Sequence, residues 1–191
     1  MEKKEKEKER ARIGDWIQTF SGRKFWPIDP RAEDICIEDI AHALSLLCRF
    51  AGHCRLFYSV AQHCCLGVIF GKDMLCTRRN KLNFLLHDAS EAYLVDLPRP
   101  LKRSGQFGEL YKKYEGKLEV EIAMKFNLDW PMLPVVREVD TMMLYTERRD
   151  LLSLPPEMWL DEVIPFEDSI VPWTSSKAEE TFLNLFEALH G

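Results

Sequence analysis

The run Leu86-His87-Asp88-Ala89-Ser90-Glu91 sets an imidazole and a carboxylate side by side and adds a second carboxylate one turn further on. His63 lies upstream in one apolar segment and Asp140 downstream in another. Together His63, His87, Asp88 and Asp140 make a mixed imidazole and carboxylate set. Such a set suits one divalent transition metal and leaves positions for water and a substrate oxygen. The expected chemistry is metal-assisted, with Zn, Co, Mn, Fe or Mg as the ion. Each residue alone has a plainer reading. A single His in an apolar helix, such as His63, is ordinarily a hydrogen-bonded core residue, and Asp140 or Glu91 alone reads as a solvent-facing acid. Only the combination is specific.

The segments carrying these residues read as helices. Ile37, Ile40, Ala41, Leu44 and Leu47 recur at three- and four-residue steps, predicting a helix from Ile37 that Gly52 breaks. Val60 to Phe70 predicts a second, buried helix ended by Gly71 and carrying His63. Lys81 to Val95 predicts a third, stopped before Pro98 and Pro100. On such a helix His87 and Asp88 diverge by about 100°, and Glu91, one turn on, borders the same cavity. Glu109 to Phe126 predicts a long charged amphipathic helix. Pro131 and Pro134 mark a turn before a helix from about Val135 to Leu152, which holds Asp140 and closes at Pro155 and Pro156. Ser176 is the expected cap of a last helix through Leu189, with Glu179 completing a capping box. No alternating strand pattern competes.

Ahead of the helices, Gly14 to Pro30 carries Trp16, Phe20, Phe25 and Trp26 among Gly and Pro and predicts an ordered aromatic loop. Glu2 through Arg10 is an unbroken run of Glu, Lys and Arg, so residues 1–12 read as a charged extension, a solvated helix or disordered. Residues 13–191 read as one domain: the chain is 191 residues, 46% hydrophobic and 30% charged, with enough apolar residues for a substantial core. A net charge of −5 argues against stable nucleic-acid or anionic-membrane binding, so an anionic ligand needs a dedicated basic pocket. No apolar run approaches the roughly 20 residues that span a bilayer. The six cysteines lack Cys-x-x-Cys spacing and no apolar signal segment is visible, which leads to an expectation of reduced thiols and a cytoplasmic protein.

The order of motifs resembles the HD-domain superfamily of metal-dependent phosphohydrolases, whose pattern is a His, a His-Asp pair and a distant Asp. The matching text is Ser59-Val60-Ala61-Gln62-His63, His87-Asp88-Ala89-Ser90-Glu91, Asp96-Leu97-Pro98-Arg99-Pro100-Leu101-Lys102 and Glu138-Val139-Asp140. It is most similar to the branch of bacterial 5′-deoxynucleotidases and phage dATP triphosphohydrolases, over about residues 37–150. The resemblance implies an all-α fold, a single HD-domain helical bundle with an N-terminal aromatic loop. It makes His63, His87, Asp88 and Asp140 the metal ligands, Glu91 the acid/base carboxylate and Asp96 a second active-site acid. Arg49 and Phe50 stand where the deoxynucleotidases have an Arg-Trp pair for phosphate and sugar. The Phe is a departure that loosens the expected discrimination against a 2′-hydroxyl.

The same resemblance implies a deoxynucleotide substrate and a homo-oligomer, a dimer or an assembly of dimers, in the cytoplasm of a bacterium or of a phage-infected host cell. A nucleotidase releases phosphate from a monophosphate; a triphosphohydrolase attacks the same phosphorus and releases triphosphate. The loop Ser21-Gly22-Arg23-Lys24-Phe25-Trp26-Pro27-Ile28 looks like the phage-type branch and favours dATP, with Trp26, Ile28 and Pro100 enclosing the base and Lys102 available to the phosphate tail. Trp26 and Ile28 equally suit a hydrophobic plug under the loop, and a surface ion pair is the lesser alternative for Arg49. A catalytically silent binding module of the same fold, with Arg148-Arg149 and the charged N-terminus as partner surface, is the non-enzymatic alternative.

Overall fold

In a computed structural model the chain is described over residues 12–157, 159 and 163–191; the charged run Glu2 to Arg10 lies outside the described residues. Among the described residues the protein is mostly helical, with one two-stranded sheet. None of its helices is long and apolar enough to cross a membrane.

The centre is α2 (Val60–Phe70), buried without a break from Val60 to Val68. A helix apolar around its whole circumference needs neighbours on every side. It has them in α1 (Ile37–Leu46), α3 (Arg78–Leu85), α7 (Pro134–Leu151) and α8 (Ser175–His190). The Ser59 hydroxyl caps α2 by accepting from the Gln62 amide at 3.1 Å, and Gly71 follows its last turn. One buried cluster runs from Phe25 to Phe186 and joins all of these elements. On α8 the inward stripe is Ala178, Phe182 and Phe186, spaced by one helical turn.

Several expectations need correction. The helix expected over Lys81–Val95 is two, α3 and the short α4 (Glu91–Leu94), separated by turns at residues 86–90. The cap of α8 is Thr174, whose side chain accepts from the Lys177 amide at 3.2 Å, and not Ser176. Glu179 makes no capping box; its carboxylate accepts from His42 Nδ1 at 3.2 Å, tying α8 to α1. The aromatic loop is ordered but contains a hairpin, β1 (Ile17–Gln18) paired antiparallel with β2 (Lys24–Phe25).

The hairpin is pinned at its tip, where the Ser21 amide and hydroxyl donate to the Asp39 carboxylate at 2.6 and 2.9 Å, and Gly22 turns the chain at a φ of 80°. Phe20 stacks on His42 at 3.6 Å and buried Phe25 on Tyr93 at 4.0 Å. Beyond α4, the one-turn α5 (Arg99–Lys102) packs on α6 (Gly105–Phe126), which begins four residues before the expected Glu109. α5 flanks the cleft described next.

Candidate metal centre and its cleft

α2 delivers His63 into the interior, fully buried, and the turns after α3 deliver His87 and Asp88 opposite it. What ends α3 is His87 itself. Its Nδ1 donates to the Phe84 carbonyl at 2.6 Å, taking an acceptor of the helix's last turn. The chain then advances by i to i+3 bonds, among them Ala89 to Leu86 and Glu91 to Asp88. In that tighter winding residues three apart eclipse, so Glu91 lies over Asp88 and His87 stands to one side. Gly67 on α2 makes this possible. A Cβ there would meet the Phe84 ring at 2.0 Å, and the same ring lies 4.6 Å from the His87 imidazole.

The second nitrogen of each imidazole turns inward. His63 Nδ1 donates to the Glu147 carboxylate at 2.6 Å, and the two Nε2 atoms face each other at 3.4 Å. Two nitrogens bonded at about 2.1 Å to one tetrahedral ion lie about 3.4 Å apart. Asp88 Oδ1 is 3.2 Å from His87 Nε2. Asp140 Oδ1, from α7, is 3.3 Å from His63 Nε2 and 3.7 Å from His87 Nε2. His63, His87 and Asp88 each offer a ligand atom within 4.8 Å of the others, and this group could hold a metal ion. Asp140 closes on the imidazole side of it. Tying each Nδ1 to an acceptor fixes the tautomer and aims Nε2 at the centre, as the outer partners of metal-bound imidazoles do.

The electrostatics ask for a cation there. Burial and Arg49 push His63 down, but Glu147 and Asp140 outweigh them and the imidazole is raised. Burial opposes charge on His87 as well, yet Asp88 and Asp140 hold it well above its ordinary value. Asp140 is itself driven well below the carboxylate range, because bonds to His63 and His87 overcome its burial. A divalent ion supplies the same positive charge without protonating either imidazole, so the donor set fits one.

Around the centre is an open cleft of about 940 Å³, lined by Arg49, Phe50, Asp88, Glu91, Asp96, Pro100, Lys102 and Asp140 among others. Glu91 is buried, and its Oε2 has no hydrogen-bond partner among the described residues; Oε1 is 3.6 Å from Lys102 Nζ. Burial, followed by repulsion from Asp88 and Asp96, pushes the Glu91 carboxyl well above its ordinary range. Burial and then Asp88 raise Asp96 as well, against Arg49 and Lys102. Asp96 follows Val95, which sits at φ 64° and ψ 158°. That conformation is nearly exclusive to glycine and costs a β-branched residue about 1–3 kcal/mol. Strain is likewise concentrated where Phe50, Ala51 and Gly52 follow one another at positive φ, turning Arg49 and Phe50 toward the cleft.

Arg49 is not a surface ion pair. Its Nε and Nη2 both lie 3.1 Å from Glu147 Oε2, and Nη1 lies 3.3 Å from Asp88 Oδ2. Glu147, fully buried, was not among the candidate residues, yet it orients both His63 and Arg49. The available signal was its spacing, seven residues from Asp140 and so on the same face of α7. Trp26 and Ile28 do not line the cleft. Trp26 lies under the Arg12 guanidinium at 4.4 Å, and Ile28 fills the space beside Gly14, where a Cβ would meet it at 2.5 Å. They serve the loop's own packing in this chain.

The uncharacterized protein YfdR of Escherichia coli (strain K12) is 39% identical over 177 residues, 91% of this chain and 95% of its own length. An uncharacterized protein of Rhodobacter capsulatus is 34% identical over 122 residues, 59% of this chain and 59% of its own. No protein-family model matches the chain. With identity sustained over nearly the whole of both sequences, the chain belongs to the family of Escherichia coli YfdR.

Proposed function

We propose that the protein is a metal-dependent phosphohydrolase that cleaves the 5′-phosphoester bond of a deoxynucleotide, with dATP as substrate and deoxyadenosine and triphosphate as products. The observation that carries this reading is the convergence of two tied imidazoles and two carboxylates beside a buried, unpartnered Glu91 oxygen in a cleft of nucleotide size. A divalent ion held by His63, His87, Asp88 and Asp140 supplies a Lewis acid for a phosphoryl oxygen and lowers the pKa of water.

The remaining roles belong to the chain. Burial and two neighbouring carboxylates raise the Glu91 carboxyl toward its protonated form, the form that donates to the 5′ oxygen as the bond to phosphorus breaks. Asp96, the less enclosed of the two, accepts the proton that the attacking water sheds; separate environments give the two carboxyls separate tasks. Glu147 holds the Arg49 guanidinium in a fixed plane, so its donors meet phosphate without reorganising. Arg99 and Lys102 line the same cleft and favour a tail longer than one phosphate.

A monophosphate nucleotidase is the second reading, favoured by the placement of Trp26 and Ile28 outside the cleft. Chromatography of products from metal-loaded protein separates the two. Deoxyadenosine and triphosphate from dATP support the first, whereas inert dATP beside rapid phosphate release from dAMP replaces it with the second. Bound metal with no release from any nucleotide leaves a binding module.

A further inference from the structure

The cleft has two chemically different ends. Around Asp88 and Asp140 it is charged; further along α7 its wall is made by Leu144 and Tyr145, joined by Leu152 and Trp159 from the segment that leaves the helix. Tyr145 follows Asp140 by five residues, about 7.5 Å along the axis at 1.5 Å per residue. Five residues also turn about 140° around the axis, but both side chains border the same cleft, so an ester held at Asp140 has room to extend its leaving group toward this aromatic corner.

That corner is built with care for the orientation of its rings. Trp159 meets Tyr145 edge to face, with centroids 5.7 Å apart and planes at 81°. The Arg148 guanidinium lies 5.0 Å from the Trp159 centroid and 5.6 Å from that of Tyr145, bracing both. Tyr145 is nearly buried and offers a fixed wall, while Trp159 is only partly buried. Further along, at Phe166 and Asp168, the chain is fastened to α7. Arg149 donates to the Phe166 and Asp168 carbonyls at 2.7 Å each, and the Phe166 amide donates to the Thr146 hydroxyl at 2.9 Å.

We propose that Tyr145 and Trp159 form the nucleobase subsite, taking a planar purine by stacking and apolar contact. The assignment rests on the phosphohydrolase reading for its substrate, since it places the base one sugar away from the reacting phosphorus. It puts base recognition on the C-terminal side of the cleft. Stacking of a base on an aromatic ring is worth roughly 5- to 150-fold in affinity, and a purine presents more area than a pyrimidine.

The test measures deoxyadenosine and inorganic phosphate binding by calorimetry on the metal-loaded full chain, with Trp159→Ala and Trp159→Phe. Trp159→Ala should weaken deoxyadenosine by roughly 5- to 150-fold and leave phosphate unchanged, and Trp159→Phe should restore most of the loss. Equal deoxyadenosine affinity in wild type and Trp159→Ala, equal loss of phosphate, or no nucleoside binding by the wild type overturns the subsite. Steady-state hydrolysis separates this from failure of the parent reading. Selective loss of nucleoside binding in Trp159→Ala, from a wild type that releases phosphate or triphosphate from no nucleotide, supports the subsite and removes the hydrolase. Nucleotide hydrolysis with the same KM in wild type and Trp159→Ala keeps the hydrolase and removes the subsite.

Discussion

Replacing Glu147 tests how the candidate metal centre is held, because that carboxylate lies outside the cleft lining and yet orients two of the groups around it. One oxygen accepts His63 Nδ1–H at 2.6 Å and the other meets Arg49 Nε and Nη2, each at 3.1 Å, with both carboxylate and imidazole fully buried. Glu147→Ala leaves a buried guanidinium with Asp88 as its remaining close anion and an imidazole N–H with no acceptor. Breaking a buried, hydrogen-bonded ion pair costs about 3–5 kcal/mol. Losing an outer partner of a metal-bound imidazole costs about 10- to 100-fold in metal affinity. Glu147→Gln keeps an acceptor for His63 and turns an amide toward Arg49, so it should recover metal affinity better than stability. Urea unfolding gives the first quantity and competition with a chromophoric chelator the second. Metal affinity in Glu147→Ala equal to wild type would refute the reasoning, since the His63 tautomer would then be set by something else.

Three other perturbations have distinct signatures. Gly67→Ala puts a Cβ 2.0 Å from the Phe84 ring, so Phe84 must shift and carry its carbonyl away from His87; stability should fall by at least about 1–3 kcal/mol together with metal affinity, and unchanged affinity would detach His87 from that packing. Glu91→Gln should keep the metal and slow turnover about 100-fold or more, whereas unchanged turnover would assign the proton transfer elsewhere. Glu119, raised to about 7 by burial and by Glu115, binds its proton in the folded state where the unfolded chain has lost it; its contribution is complete below about pH 4.5 and is lost as pH rises through about 7. Unfolding midpoints should therefore decline less over that interval in Glu119→Gln than in wild type, and parallel curves would contradict the assignment.

Much of the site was legible because its residues stand in apolar helices. α2 spans Val60–Phe70 with Gly71 after it, as the sequence predicts, and α7 falls one residue from its expected ends. The break at residues 86–90 was not legible, since Leu86, Ala89 and Glu91 are good helix formers and what stops α3 is a side-chain bond from His87 to its own helix. Glu147 was hidden in the charged run Glu147-Arg148-Arg149-Asp150, which reads as a solvated face although its first member is fully buried. Trp26 and Ile28 were drawn toward a base pocket by type, but Arg12 and Gly14 engage them locally. Trp159 sits in a Pro-rich stretch with no periodicity, and only its packing against Tyr145 reveals it.

The most direct test of the metal-dependent phosphohydrolase account combines metal content with product analysis on wild type and Asp88→Ala, with circular dichroism to follow the helices. The account predicts one divalent ion per chain and deoxyadenosine plus triphosphate from dATP in the wild type, and neither ion nor products in a helical Asp88→Ala. An Asp88→Ala protein that keeps its metal and its turnover, or a metal-loaded wild type that releases nothing from any deoxynucleotide, would contradict it.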